Sequence, residues 1–217
     1  TVLQIVILKL MELPKKYKHI DAEEKWRQSW IENGVYNWDS TQDRSNTFSI
    51  DTPPPTVSGS LHIGHVFSYT HTDAIARYQR MTGKNVFYPM GWDDNGLPTE
   101  RRVQNVYGIK CDPTQPYTPN FLPDANHKRK PHEFIPVSRK NFIEICEALT
   151  LEDEKVFEHL WRKLGLSVDW SLTYATINDH CRKISQQSFL DCVKKGKVNH
   201  VEAPGMWDVD FQTAVAQ

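Results

Sequence analysis

The chain has 217 residues, 39% of them hydrophobic and 24% charged, with a formal net charge of −1. That balance suits a globular chain with a substantial core and excludes a disordered or low-complexity one. No global basic field is present, so any contact with nucleic acid must use a local patch.

The first ten residues lack the basic flank and cleavage site of a secretory leader. Their apolar part, 2–8, is too short to cross a bilayer, so no membrane partner is indicated. Met11 with the following Glu12-Leu13-Pro14-Lys15-Lys16-Tyr17 reads as a natural start, and residues 1–10 as an upstream start or an added segment. Cys111, Cys146, Cys181 and Cys192 form no Cys-x-x-Cys pair, so neither a zinc knuckle nor a redox motif is indicated. They read as reduced thiols of an intracellular protein.

Asp21-x-x-Glu24 has the form of a capping box, which predicts a helix over 22–33 with Trp26 and Trp30 on one face and Asn33-Gly34 as its stop. Residues 39–46 are polar and loop-like. Phe48 to Thr52 alternates as a strand does, and Pro53-Pro54-Pro55 ends it by removing three donors. A turn over 56–60 leads to a helix over 64–81, with Val66, Tyr69, Ala74 and Tyr78 expected on its buried face. Gly83 stops that helix. Residues 85–90 suit a buried parallel strand, 91–98 a loop and 99–107 a helix.

Strand, loop, helix, repeated, implies βαβ units and a parallel sheet. Ligands of such sheets lie beyond the carboxyl ends of the strands. The two unusual loops, 53–65 and 91–98, fall at those ends and are expected to line one site.

Beyond them, 111–137 is proline-rich and irregular, an expected surface insertion that carries the basic run His127-Lys128-Arg129-Lys130. That run reads as a solvated loop ahead of a tRNA-phosphate contact. A helix with a central break is expected over 138–164, an extended or irregular piece over 167–176, a helix over 179–195 stopped by Gly196, and strand-like pieces over 197–217. Trp161, Trp170 and Trp207 read as core or hinge residues.

His62-Ile63-Gly64-His65 stands at the start of the second predicted helix. Helix N-termini offer free N–H groups and positive potential that suit phosphate, and Gly64 has no side chain to block a close approach. Imidazole N–H groups aimed at the α-phosphate would stabilise the charge that grows on displacement. By itself the tetrapeptide fits three readings: a nucleotide site, a chance pair, or a metal site. The last lacks a third ligand, since His71 lies nearly opposite His65 in helical phase. Asp93, taken alone, reads as a loop carboxylate capping the next helix.

The stretch from Pro53 to His65, Pro-Pro-Pro-Thr-Val-Ser-Gly-Ser-Leu-His-Ile-Gly-His, resembles the first signature of class I aminoacyl-tRNA synthetases. Its Pro-Pro-Pro-x-Val-x-Gly-Ser form resembles the valyl branch rather than the leucyl or isoleucyl ones. Gly91-Trp92-Asp93-Asp94-Asn95-Gly96-Leu97-Pro98-Thr99-Glu100 resembles the matching Gly-x-Asp loop of the same family.

The resemblance implies an α/β fold: the first half of a Rossmann-like nucleotide-binding domain over 21–196, an extension over 1–20, and a connection over 197–217 into an inserted editing domain. It implies that His62 and His65 contact ATP phosphates with Gly64 beneath the adenosine. Asp93 would receive the amino acid's ammonium, and Pro54, Pro55 and Thr56 would form one wall of its pocket. The implied substrates are valine and Mg-ATP, the implied partner is tRNA(Val), and the implied location is the cytoplasm.

Thr56 and Asp94-Asn95 depart from the Asn and His-Ala common in bacterial valyl enzymes, which leaves their direct contacts open. Residues 202–207 replace a cysteine-rich zinc element of relatives, so no bound zinc is expected. The second signature of the class, Lys-Met-Ser-Lys-Ser, is not in the chain. This piece alone is therefore expected to be inactive, with the rest of the enzyme as its missing partner. Two alternatives stand beside this reading: a non-catalytic nucleotide- or protein-binding module, and a different nucleotidyltransferase with a His-x-Gly-His motif.

Overall fold

A computed structural model describes residues 16–58, 61–124, 130–210 and 213–215. The readings made for 1–10 and for most of the basic run at 127–130 fall outside these residues. The chain divides into two compact units, one through Tyr36 and one from Asn37.

The first unit holds helix α1, His19–Glu32. It starts earlier than predicted. Lys18 is the N-cap, without a side-chain hydrogen bond. Asp21 therefore lies inside the first turn, where a carboxylate meets the positive end of the helix, and it faces Lys18 at 3.9 Å. Glu24 pairs with Arg27. The predicted capping box does not form, because its acceptor is already helical.

In the second unit three extended segments lie side by side and parallel. Strand β1, Thr47–Ser49, pairs with β2, Asn85–Phe87, and the Ile50 amide continues the contact to the Phe87 carbonyl at 2.9 Å. Strand β3, Gly91–Trp92, pairs on its other side with β6, Tyr174–Ala175. The middle segment is Asn85 to Asp93. It donates from Asp93 to the Pro55 carbonyl at 2.9 Å on one side and accepts from Asp169, Tyr174 and Thr176 on the other. Val86, Tyr88, Met90 and Trp92 are buried along one face of it, with Phe87 and Pro89 half-buried on the other. At Gly91 the Tyr174 ring fills the space that a Cβ would occupy, so a larger residue there would oblige that ring to move.

Helix α2, Ile63–Met81, crosses from β1 to β2. Its buried row is Tyr69, Asp73 and Ala76, while Ala74 and Tyr78 face solvent, contrary to the sequence reading. The reason is Asp73. Its carboxylate accepts from the Ser167 amide and hydroxyl, both at 2.6 Å, and from Arg77 Nε at 2.7 Å. With these donors a carboxylate occupies a core position that an apolar pattern would assign elsewhere. Arg80 adds bonds to the Ser167 hydroxyl and carbonyl at 2.7 and 2.8 Å.

Helix α3, Leu97–Tyr107, is followed by β4, Ile109–Cys111, which pairs in parallel with β5, Ile135–Val137. The proline-rich segment between them is closed at its root by that pairing. Asn141 holds it, accepting from the Thr118 amide at 2.9 Å and donating to the Thr118 carbonyl at 2.7 Å.

Helix α4, Arg139–Leu164, runs 26 residues without the predicted break. Thr150 at its middle turns its hydroxyl back to the carbonyls of Cys146 and Glu147 at 3.1 and 3.0 Å, so the polar group is satisfied within the helix. Phe157 and Trp161 on this helix complete the main core with Tyr69 and Trp92. Arg102 of α3 grips both carboxylate oxygens of Asp153 on α4.

Trp170, in a short 3-10 turn over Trp170–Leu172, stacks against Trp92 with Arg162 over its ring. After α5, Asp179–Lys194, strands β7, Met206–Asp208, and β8, Thr213–Val215, form an antiparallel pair. Trp207 is 61% exposed on β7 and is not a core residue, because an isolated two-stranded pair has no second layer to cover it. Arg101 of α3 pairs with Asp208 of β7.

Candidate functional site

The two loops predicted to share a site do meet. Thr56 and Asp93 form a parallel bridge, held by Asp93 N–H to the Pro55 carbonyl at 2.9 Å and Val57 N–H to the Asp93 carbonyl at 3.1 Å. Three donors fix the Asp93 carboxylate: the Thr56 hydroxyl at 3.2 Å, the Asn95 amide at 3.3 Å and the Thr176 hydroxyl at 3.4 Å. Only the first and last are side chains, and both are neutral. The carboxylate is held in place with its charge unpaired by any of these donors, as the receptor of a substrate ammonium must be.

At the start of α2 the histidines cap each other's backbone. His62 Nδ1 accepts from the Gly64 amide at 3.2 Å, and His65 Nδ1 accepts from the His62 amide at 3.3 Å. An Nδ1 that accepts is unprotonated, so a neutral ring carries its proton on Nε2. Both rings therefore offer an N–H on the side away from the helix. They lie 4.0 Å apart between centroids. Burial, and next the neighbouring His62, holds His65 below the usual imidazole range, which keeps it neutral near pH 7. Gly64 lies tightly under the His62 ring: an added Cβ would stand 3.0 Å from two of its atoms.

A cavity of about 350 Å³ opens between these parts, lined by Thr52, Pro53, Pro54, Pro55, Thr56, His65, Ser68, Tyr69 and Thr72. The predicted Pro54, Pro55, Thr56 and His65 thus share one wall system. His62 and Gly64 stand at the helix start outside this lining, and Asp93 reaches it through Thr56. The Tyr69 hydroxyl donates to the Pro53 carbonyl at 2.6 Å and pins the proline wall to α2. Burial raises the Tyr69 phenol well above its ordinary value, so it remains a donor. Among the described residues no group of three or more His, Cys, Asp or Glu could hold a metal ion.

With this geometry in hand, comparison with known proteins decides the family. The family model described as tRNA synthetases class I (I, L, M and V) matches residues 25–120 and 123–217. The chain belongs to this family. It is 62% identical over 205 residues to a valine–tRNA ligase of Thermobifida fusca, covering 94% of this chain and 23% of that relative. It is 58% identical over 217 residues to the valine–tRNA ligase of Bifidobacterium longum, covering 98% of this chain and 24% of the relative.

The fold is similar to that of the Agrobacterium radiobacter K84 agnB2 LeuRS, solved as a ternary LeuRS–tRNA–LeuAMS complex. That match has a TM-score of 0.67 at 26% identity and covers 92% of this chain and 21% of that one. The chain thus spans about a quarter of the length of the curated relatives it matches. The α/β class I synthetase fold expected from the motifs is the fold observed. Among the described residues no helix is long and apolar enough to cross a membrane.

Several residues that shape the site of this synthetase-family chain escaped the sequence reading. Thr176 sits 83 residues from Asp93, directly after β6, and nothing local marks it. Tyr69 was assigned to the core, and its hydroxyl gave no sign of the Pro53 carbonyl. Asp94, left open above, is 4% exposed and lines a different cavity from the one walled by the prolines. The pair Asp93-Asp94 is itself the available signal: two adjacent carboxylates at a strand end cannot both face one ammonium.

Proposed function

We propose that this chain forms the amino-acid- and ATP-binding part of a longer cytoplasmic enzyme that joins valine to tRNA(Val). One observation carries the reading: the Thr56–Asp93 bridge brings a fixed carboxylate to the proline-walled cavity that His65 also lines. The valine–tRNA ligase names of the relatives at 58–62% identity supply the amino acid.

On this reading Asp93 receives the valine ammonium, and Pro54, Pro55 and Thr56 flank the side chain. His62 and His65 donate from Nε2 to the phosphates of Mg-ATP, and Gly64 lets the adenosine approach the helix start. A valine carboxylate oxygen attacks the α-phosphorus, the bond to pyrophosphate breaks, and valyl-adenylate forms. A ribose hydroxyl at the tRNA terminus then attacks the valyl carbonyl, and AMP leaves. Positioning and electrostatic stabilisation carry the first step, with no covalent enzyme intermediate. Residues 21–196 are then the first half of the nucleotide-binding domain, and 197–217 lead toward an inserted editing domain.

The test is a chimera in which this chain replaces the matching segment of the Thermobifida fusca enzyme. Valine-dependent ATP–pyrophosphate exchange is expected, and it is expected to vanish with His65→Ala. Exchange that survives the substitution, or that follows another amino acid better than valine, refutes the reading.

A further inference from the structure

Asp94 is the most deeply buried acid of the loop, and neither of its carboxylate oxygens meets a hydrogen-bond donor. Its backbone is fully engaged: the amide donates to the Thr176 hydroxyl at 3.2 Å, and the carbonyl accepts from the Thr99 hydroxyl at 3.1 Å. These two bonds fix the backbone from which the side chain projects. It meets the side chain of Glu154, on α4, at hydrogen-bonding range. Two carboxylates cannot bond to each other, because both only accept. A buried, unpartnered carboxylate is also costly. One proton removes both difficulties: a carboxylic acid donates to the carboxylate beside it.

We propose that Asp94 and Glu154 share a single proton and that this pair positions the Asp93 loop against α4. That the loop then presents Asp93 to a substrate ammonium rests on the function proposed above. The local charges agree. Asp93 lies in the same loop, Glu158 and Lys155 flank Glu154 on α4, and Glu100, Glu147 and Arg182 line the adjoining cavity of about 290 Å³ with Asp94. Lys155 is engaged by Glu152 at 2.8 Å, and Arg182 faces Asp179 at 3.8 Å. Acids outnumber bases around the pair, which favours keeping the proton. Burial, followed by the bond to Asp94 and its charge, pushes Glu154 up to about 8. Asp94 is raised too, by burial first.

Asp94 and Glu154 act through Asp93 and touch no substrate atom. They are positioning residues. Loss of the shared proton places a second negative charge behind Asp93 and separates the loop from α4.

The experiment uses the 217-residue chain, with infrared and amide NMR spectra recorded from pH 6 to 10. The expected result is a protonated-carboxyl band that disappears with a midpoint near 8, together with an Asn95 amide resonance that moves with the same midpoint. In Glu154→Gln and Asp94→Asn an amide donates in place of the acid, so the band is absent and Asn95 stays at its low-pH position throughout. Absence of the band from the native chain overturns the shared proton. An Asn95 resonance that ignores the titration, or that titrates equally in both amide variants, overturns the positioning role. Asp93→Asn, assayed for binding of a non-hydrolysable valyl-adenylate analogue, tests the reading of Asp93 separately. Its failure leaves the band and the Asn95 result standing.

Discussion

The Thr56 hydroxyl donates to Asp93 Oδ2 at 3.2 Å while the two backbones bridge in parallel, so one residue serves as both wall and clamp. Thr56→Val keeps the shape and removes the bond. A lost bond to a charged group costs about 1.5 kcal/mol, or roughly tenfold in affinity. Titration calorimetry of the valyl-adenylate analogue, or the Michaelis constant for valine in the chimera, is expected to show that loss with little change in maximal rate. Unchanged affinity would make the bond incidental.

Gly64→Ala separates stability from activity. Alanine favours a helix over glycine by about 0.8–1.0 kcal/mol. The added methyl, however, would press on the His62 imidazole at 3.0 Å. The expected outcome is an unchanged or higher melting temperature with exchange reduced about tenfold or more. Full exchange in this variant would show that the ring can move without penalty.

His65 gives a sign to the pH dependence of stability. Its folded value lies below the ordinary 6.5, so the unfolded chain binds more protons in that interval and stability rises with pH through it. The stabilisation is present above about 6.5 and lost as pH falls toward the depressed value. Thermal unfolding from pH 5 to 7 is expected to show this rise in the native chain and to lose part of it in His65→Gln. Equal slopes would remove His65 from the linkage. Glu154 acts oppositely, since its folded value is raised: its stabilisation is complete below about 4.5 and lost as pH rises through about 8.

Asp73→Ala leaves Ser167 and Arg77 without their shared acceptor. Removing one partner of such a buried group costs about 3 kcal/mol. For a chain of this size that is a fall in melting temperature of roughly 6–12 °C. A fall of a degree or less would show that water replaces the carboxylate.

The parallel βαβ order and the meeting of the two loops were legible because local chemistry determines them. Consecutive prolines end a strand wherever they stand, and a capped His-x-Gly-His begins a helix. The buried face of α2 was not legible in the same way. Its phase is set by Asp73, whose partner Ser167 lies 94 residues away. The clamp on Asp93 was hidden for the same reason, since Thr176 arrives only when β6 pairs with β3. Trp207, read as a core or hinge residue, lies outside the core: burial depends on a covering layer that a two-stranded pair alone does not supply.

Gly91 and Tyr174 occupy one volume between two parallel strands. A side chain at 91 obliges the Tyr174 ring to turn aside or favours a smaller residue at 174. The two sites should therefore change together across the family, and Gly91→Ala should be tolerated best alongside a Tyr174→Ala or Tyr174→Ser partner. This covariation links the residue two places before Asp93 to the strand that delivers Thr176. The spacing of the carboxylate clamp is inherited as a pair.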